Sequence, residues 1–211
     1  MLELIKNRRS IRWFNNKPIS RDDLLELVEA GIYAPSGANS QNQRFIIIQD
    51  KKEIMEIGKV RFSFPYKSKV VREKHTSGLI GHATALIVVC VDKRSHVLNK
   101  KQEAPIWRDM WFQNSAASIQ NIPLLAASKG IGSCWISALP KMDGTRLLKG
   151  STWYDLFSKY GLTSNHEVHG IVILGYTDKI NSLGYPKGET KHQDKNIERK
   201  HIDEYMLGAK I

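Results

Sequence analysis

Cysteine is scarce in this chain: Cys90 and Cys134 are the two present, and neither belongs to a C-x-x-C pair. A disulfide framework needs several cysteines at set spacings and a zinc site needs clustered ligands, so neither organises this protein. Long apolar runs are missing too. The greasiest stretch, Ala83 to Val91, falls far short of the roughly twenty residues that cross a bilayer, and MLELIKNRRS puts two arginines where a signal peptide carries its apolar segment. The expectation is a cytoplasmic protein with no membrane partner. No G-x-S-x-G elbow or P-loop occurs, which removes the sequence signals of a hydrolase or an NTPase. Acidic residues are few beside basic ones, 21 against 32, giving a formal net charge of +11. Such an excess either attracts phosphates and anionic substrates or marks a lysine-rich surface; the basic residues are scattered without a polybasic block, which favours the surface.

The 211 residues, 41% hydrophobic, suffice for one domain spanning the whole chain, 1–211, with a buried core. Ser20 followed by Asp23 has the form of a capping box, and Leu24, Leu25, Leu27, Val28 and Ile32 repeat at helical spacing until Pro35. Arg44 to Gln49 reads as a strand, and Asp50 with Glu53 caps a short helix ending near Gly58. Lys59 to His75 is a basic excursion with Phe62, Phe64 and Tyr66 interleaved. Ala83 to Val91 has the length and Val/Ile content of a strand buried on both faces, and is expected at the centre of a sheet. Ile106 to Lys129 is the longest helix, ended by Gly130 and kinked at Pro123. Ser133 to Ile136 reads as a strand, Thr152 to Tyr160 as a helix stopped by Gly161, and Val168 to Leu174 as a further buried strand. This order lacks strict Rossmann alternation and indicates a sandwich of helices and sheet.

Two apparent motifs fail on physical grounds. Gly130-Ile-Gly132 leaves a helix to enter a strand, the wrong direction for pyrophosphate binding at a helix start, and Trp135 stands where a third glycine is needed. His166-Glu167-Val168-His169 is not H-E-x-x-H, and residues three apart on a strand face opposite sides, so no metal site is expected.

Two segments stand out. Arg8-Arg9-Ser10-Ile11-Arg12-Trp13-Phe14 gathers three guanidiniums and a hydroxyl after a first helix, a set suited to a phosphate because arginine donates in a planar fork, or else a solvated basic turn. Ala34-Pro35-Ser36-Gly37-Ala38-Asn39-Ser40-Gln41 stops a helix and adds small residues and amides. Backbone can there approach a planar ligand whose edge the amides bond, although alone it is a helix exit.

Together and in this order, the two segments resemble the nitroreductase family, whose members begin R-R-S-x-R-x-F and continue a helix later with A-P-S-x-x-N-x-Q-P. Ser118-Ile-Gln-Asn121, Ala126-Ala127, Gly130-Ile-Gly132 and Trp135-Ile136 are similar to the family's long helix and following strand. Ile171-Val-Ile-Leu-Gly175-Tyr176 is similar to its last core strand, and Arg199-Lys200-His201-Ile202-Asp203-Glu204 to its tail. Asn42, Ser137 and His201 depart from the family pattern, which has proline, commonly an acid, and proline there.

The resemblance implies an α+β fold, a nitroreductase-like central mixed β-sheet flanked by helices in an intertwined homodimer, with FMN at the dimer interface and NAD(P)H as co-substrate. It implies that Arg8, Arg9, Ser10 and Arg12 hold the phosphate, ribityl chain and pyrimidine edge, while Pro35, Ser36, Gly37, Asn39 and Gln41 contribute from the partner or line the flavin. Ser137 and Ala138 fall beside the reactive flavin nitrogen, and Arg199 where a late arginine reaches the phosphate. No side chain serves as nucleophile, since the isoalloxazine carries the redox chemistry. Arg12 is assigned, by the same resemblance, to stabilising the charge that reduction brings to the ring.

The activity expected is ping-pong transfer of electrons from NAD(P)H to a small acceptor such as a nitroaromatic or quinone; relatives with oxidase, dehalogenase or flavin-consuming chemistry are the alternative. A reading from another class is a nucleic-acid-binding module, with Lys59 to His75 tracking phosphates and its aromatics stacking on bases. The diffuse charge and the lack of an accompanying motif speak against a nucleic-acid partner.

Overall fold

In a computed structural model of the chain, residues 1–58, 79–94, 105–137 and 156–178 are described. Their helices are α1 (Leu2–Asn7), α2 (Arg21–Ile32), α3 (Lys51–Gly58) and α4 (Pro105–Ser128), and their strands β1 (Gln43–Ile48), β2 (Ala85–Asp92), β3 (Gly132–Ser137) and β4 (His166–Gly175). The strands form one sheet in the order β1-β2-β4-β3. Each ladder is antiparallel, and the parallel part of the expected mixed sheet is confined, among the described residues, to one bridge between Ser10 and Ser133.

β2 is buried along its whole length and paired on both sides, as its unbroken apolar run predicts. Alternate side chains feed two cores. Leu86, Val88 and Cys90 meet Ile54 and Ile57 of α3 and Phe157, while Ala85, Ile87 and Val89 meet Leu24 and Leu27 of α2 and Ile119 and Ile122 of α4. This helix–sheet–helix layering is the α+β sandwich expected.

Local signals fix the element ends. Ser20 caps α2 by accepting from Asp23 N at 3.0 Å, and Asp50 Oδ1 accepts from Glu53 N at 2.9 Å at the start of α3. α4 runs on through Pro123 to Ser128. It closes in a Schellman turn, with Gly130 at φ 70°, Ile131 N donating to Ala126 O and Gly130 N to Ala127 O. The last carbonyls of α2, which have no partner within their own helix, are met by α4: Ser118 Oγ donates to Gly31 O at 2.8 Å and Asn121 Nδ2 to Ala30 O at 3.0 Å.

The apolar residues of α2 do not share one face. Leu24 and Leu27 are buried, but Leu25 and Ile32, seven residues apart and so on one side, are exposed together with Tyr33. The register of β2 against β4 slips between Val89 and Cys90, whose partners are Gly170 and Val168, so His169 is the extra residue of a bulge. Of the predicted 152–160 helix the described part is Leu156 to Tyr160, followed by Gly161 at φ 86°. The basic excursion Lys59 to His75, Trp153 and Tyr154, and the tail from 179 onward lie outside the described residues.

Candidate functional site

The arginine segment is strapped onto the sheet. α1 ends at Asn7 with Arg8 as its C-cap, Ile11 N donates to Ser133 O at 2.8 Å, and Asn15 N donates to Tyr176 O at 2.8 Å. Ile11 is buried against Gly132, where an added Cβ would meet Ile11 Cγ2 at 2.9 Å. This anchoring places Arg8, Ser10 and Arg12 around Cys134 of β3. Burial raises the Cys134 thiol pKa, while Arg12, Ser10 and Arg8 pull it back down. Arg12 Nη1 donates to Ser10 O at 3.0 Å, and Arg9 turns away to the carbonyls of Lys6 and Arg8. Arg8 is half-buried and has no carboxylate partner among the described residues. A half-buried guanidinium with no carboxylate partner among the described residues, beside a hydroxyl and a second guanidinium, fits a ligand phosphate.

The second segment is a tight loop. Ser36 caps a 3-10 turn, Gly37–Asn39, and its Oγ accepts from Gln41 N at 3.1 Å. Ala38, Asn39 and Gln41 have φ of 51°, 50° and 44°. Left-handed backbone costs about 1–2 kcal/mol at each non-glycine residue, so such a loop persists where its surroundings hold it. Gly37 packs on α4, an added Cβ there lying 1.9 Å from Met110 Cε. Asn39 and Gln41 are exposed, and their side chains make no hydrogen bond among the described residues. Pro35 is exposed at the start of the loop.

Two residues hold this loop: Asn114, which the sequence did not single out, and Asn42, which it marked only as a departure from the family pattern. Asn114 of α4 is buried, accepts from Gly37 N at 2.9 Å, and donates to Ser40 Oγ at 3.1 Å and to Asn42 Oδ1 at 3.2 Å. Asn42 is fully buried, and its carbonyl accepts from Asp92 N. The available signal was Asn42 itself, an amide where the loop pattern carries proline. α4 touches both α1 and the 3-10 turn, and is the element the two segments share. Ser137 ends β3 opposite Gly170; Ala138 and Arg199 lie outside the described residues.

The two histidines of β4 engage different groups. His166 Nδ1 accepts from Thr163 N, whereas His169 Nδ1 lies 2.6 Å from Ser115 Oγ, with Phe112 stacked on its ring. Among the described residues no three His, Cys, Asp or Glu side chains group as metal ligands, and no helix is long and apolar enough to cross a membrane.

A layered α+β sandwich with a guanidinium turn on one end strand and a left-handed amide loop on the long helix defines the class of this protein. Residues 5–176 match the model of the nitroreductase family. A provisionally named NADH dehydrogenase/NAD(P)H nitroreductase from Archaeoglobus fulgidus is 31% identical over 89% of this chain and 86% of its own length. The chain belongs to the nitroreductase family, a family of oxidoreductases. An FMN-dependent nitroreductase from Clostridium difficile shares the fold with a TM-score of 0.66 at 20% identity, covering 95% of this chain and all of that one. A nitroreductase of Desulfovibrio desulfuricans, also provisionally named and solved in complex with FMN, gives 0.64 at 20% identity, covering 100% and 96%.

Proposed function

We propose that this chain is a homodimeric FMN-dependent oxidoreductase that takes hydride from NAD(P)H and passes electrons to a small organic acceptor by a ping-pong route. The observation that carries the reading is Arg8, half-buried and without a carboxylate partner among the described residues, beside Ser10 and Arg12. The names of the relatives above, with their FMN and NAD(P)H, point the same way.

Bound FMN supplies the redox chemistry. Arg8 and the Ser10 hydroxyl hold its phosphate and ribityl chain, with the exposed Arg9 adding positive charge beside them. Arg12, tethered by Ser10 O, keeps a positive charge at the pyrimidine edge, where reduction adds negative charge. The exposed amides of Asn39 and Gln41, with Pro35, Ser36 and Gly37, meet the flavin bound by the partner subunit. By the family resemblance, Ser137, Ala138 and Arg199 would complete the cradle. Leu25, Ile32 and Tyr33, together with Leu2 and Ile5 of α1, are exposed apolar residues that a second copy would cover.

The test is anaerobic reduction of FMN-loaded protein by NADH and by NADPH, followed by mixing with nitroaromatics and quinones. Parallel initial-rate lines are expected; intersecting lines mean a ternary complex. A chain that retains no flavin after reconstitution, or a flavin-loaded monomer in sedimentation, overturns the reading.

A further inference from the structure

The loop Pro35 to Gln41 combines three left-handed non-glycine residues with exposed amides, and its own bonds are two short backbone turns, Asn39 N to Ser36 O and Ser40 N to Gly37 O, and the Ser36 hydroxyl on Gln41 N. What else holds it comes from α4. Gly37 N–H can only donate, so the Asn114 atom it meets is the oxygen, and Asn114 presents its nitrogen to Ser40 and Asn42. The atom of Asn42 facing that nitrogen must then be its oxygen. This leaves Asn42 Nδ2 buried without a hydrogen-bond partner among the described residues. The orientation of both amides therefore follows from a single backbone N–H.

We propose that Asn114 is a positioning residue of the flavin site: its buried amide, paired with Asn42, locks the Ser36–Gln41 loop in the left-handed form that presents Asn39 and Gln41 to ligand. The proposal rests on the FMN reading above. Asn114 reaches Gly37 and Ser40 within the loop and Asn42 directly after it, so its loss releases the loop as a unit while the two cores stay intact. Asn42 is the matching half. Standing where the family pattern has proline, it supplies the side-chain oxygen that a proline lacks. The chain thus fixes by two facing amides what a proline ring fixes by its own restricted φ.

The unpartnered Asn42 nitrogen makes the idea sharply testable. In Asn114→Asp, Gly37 N keeps its acceptor, the Ser40 hydroxyl turns from accepting to donating, and the Asn42 amide turns over so that its idle nitrogen donates to the new carboxylate. Asn114→Leu offers none of these bonds. The experiment measures FMN affinity of the apo-protein by flavin fluorescence, the visible circular dichroism of the bound flavin, and hydrogen exchange at the Gly37 and Gln41 amides, with β2 amides as internal reference.

Asn114→Leu is expected to weaken FMN binding by about tenfold or more and to speed exchange at Gly37 and Gln41 with β2 unchanged. Asn114→Asp is expected to restore affinity to within about threefold of the unaltered chain, and adding Asn42→Ala to remove that rescue. Should Asn114→Leu fail to fold, Asn42→Ala alone is read in the same way. Unchanged affinity, dichroism and loop exchange in Asn114→Leu overturn the proposal, as does acceleration spread equally over loop and sheet. No flavin uptake by the unaltered chain refutes the cofactor reading instead, and the exchange rates still decide whether Asn114 holds the loop.

Discussion

Ser115 Oγ on α4 lies 2.6 Å from Nδ1 of His169, the extra residue of the β4 bulge, and both side chains are buried. The same hydroxyl donates to Trp111 O at 2.6 Å, and His169 Nε2 lies 3.3 Å from Glu167 Oε1. A bulge that turns an imidazole inward is tolerable because the long helix meets it with a hydroxyl. Ser115→Ala leaves one ring nitrogen buried without its partner and should cost about 1–3 kcal/mol. Adding His169→Phe, which keeps a ring against Phe112 and removes the polar atoms, should recover part of that loss. Urea unfolding of the single and double variants measures both, and simple additivity would show that the contact carries no coupling.

The two arginines of the strap should separate by step. Arg8→Ala removes a charge that attracts phosphate whatever the redox state, so FMN affinity falls by about ten- to a hundredfold. Arg12→Ala removes a charge needed when the ring gains negative charge, so flavin reduction slows more than retention suffers. Equilibrium FMN titration and anaerobic stopped-flow reduction distinguish them; equal losses of affinity with unchanged reduction rates mean that the roles are misassigned.

Gly175 offers a test that touches neither arginine. An added Cβ would lie 2.6 Å from both Cβ and Cγ of Phe14, the rigid root of the ring rather than a flexible end. Gly175→Ala should destabilise by about 1–3 kcal/mol through overpacking, and because Phe14 follows Arg12 in the strap, FMN retention should fall as well. Thermal denaturation with and without added FMN reads both effects.

Asp92 ends β2 and is nearly buried. Hydrogen bonds from the Arg94 side chain pull its pKa down to about 2 against the opposing effect of burial, with smaller help from the Arg94 backbone and the charges of Arg94 and His166. A carboxyl depressed in the folded state adds stability above its unfolded pKa of about 4, and that stability is lost as pH falls toward the folded value. Asp92→Asn should therefore flatten the decline in unfolding free energy between about pH 4 and pH 2 relative to the unaltered chain. Denaturant titrations across that range decide it.

Much of the fold was legible because its signals are local. Ser20 with Asp23, Asp50 with Glu53 and Gly130 each set an element end through contacts a few residues long, and β2 announced its central place by length and composition. The faces of α2 were less legible: its apolar residues repeat at helical spacing, yet two faces share them and the sequence does not say which meets the sheet. The arginine strap was visible as a motif, while its attachment to Ser133 and Tyr176 was not, since those pairings join residues more than a hundred positions apart. The Asn114–Asn42 pair and the His169 bulge escaped for a related reason, their partners lying 72 and 54 positions away. A buried amide or imidazole looks like any polar residue until the distant partner that satisfies it is in place.

β3 is the last strand of the sheet, and along its outer side the described residues provide just the pairing with the Ser10–Ile11 strap. A strand with an open row of backbone donors and acceptors is a template for joining another chain. The stretch that carries the guanidiniums is thus also, among the described residues, a guard on the outer side of that strand. A lesion in that stretch that detaches it from Ser133 would surface as insolubility before it surfaced as lost catalysis, and flavin, by holding the guard in place, would act as a solubilising agent for the whole molecule.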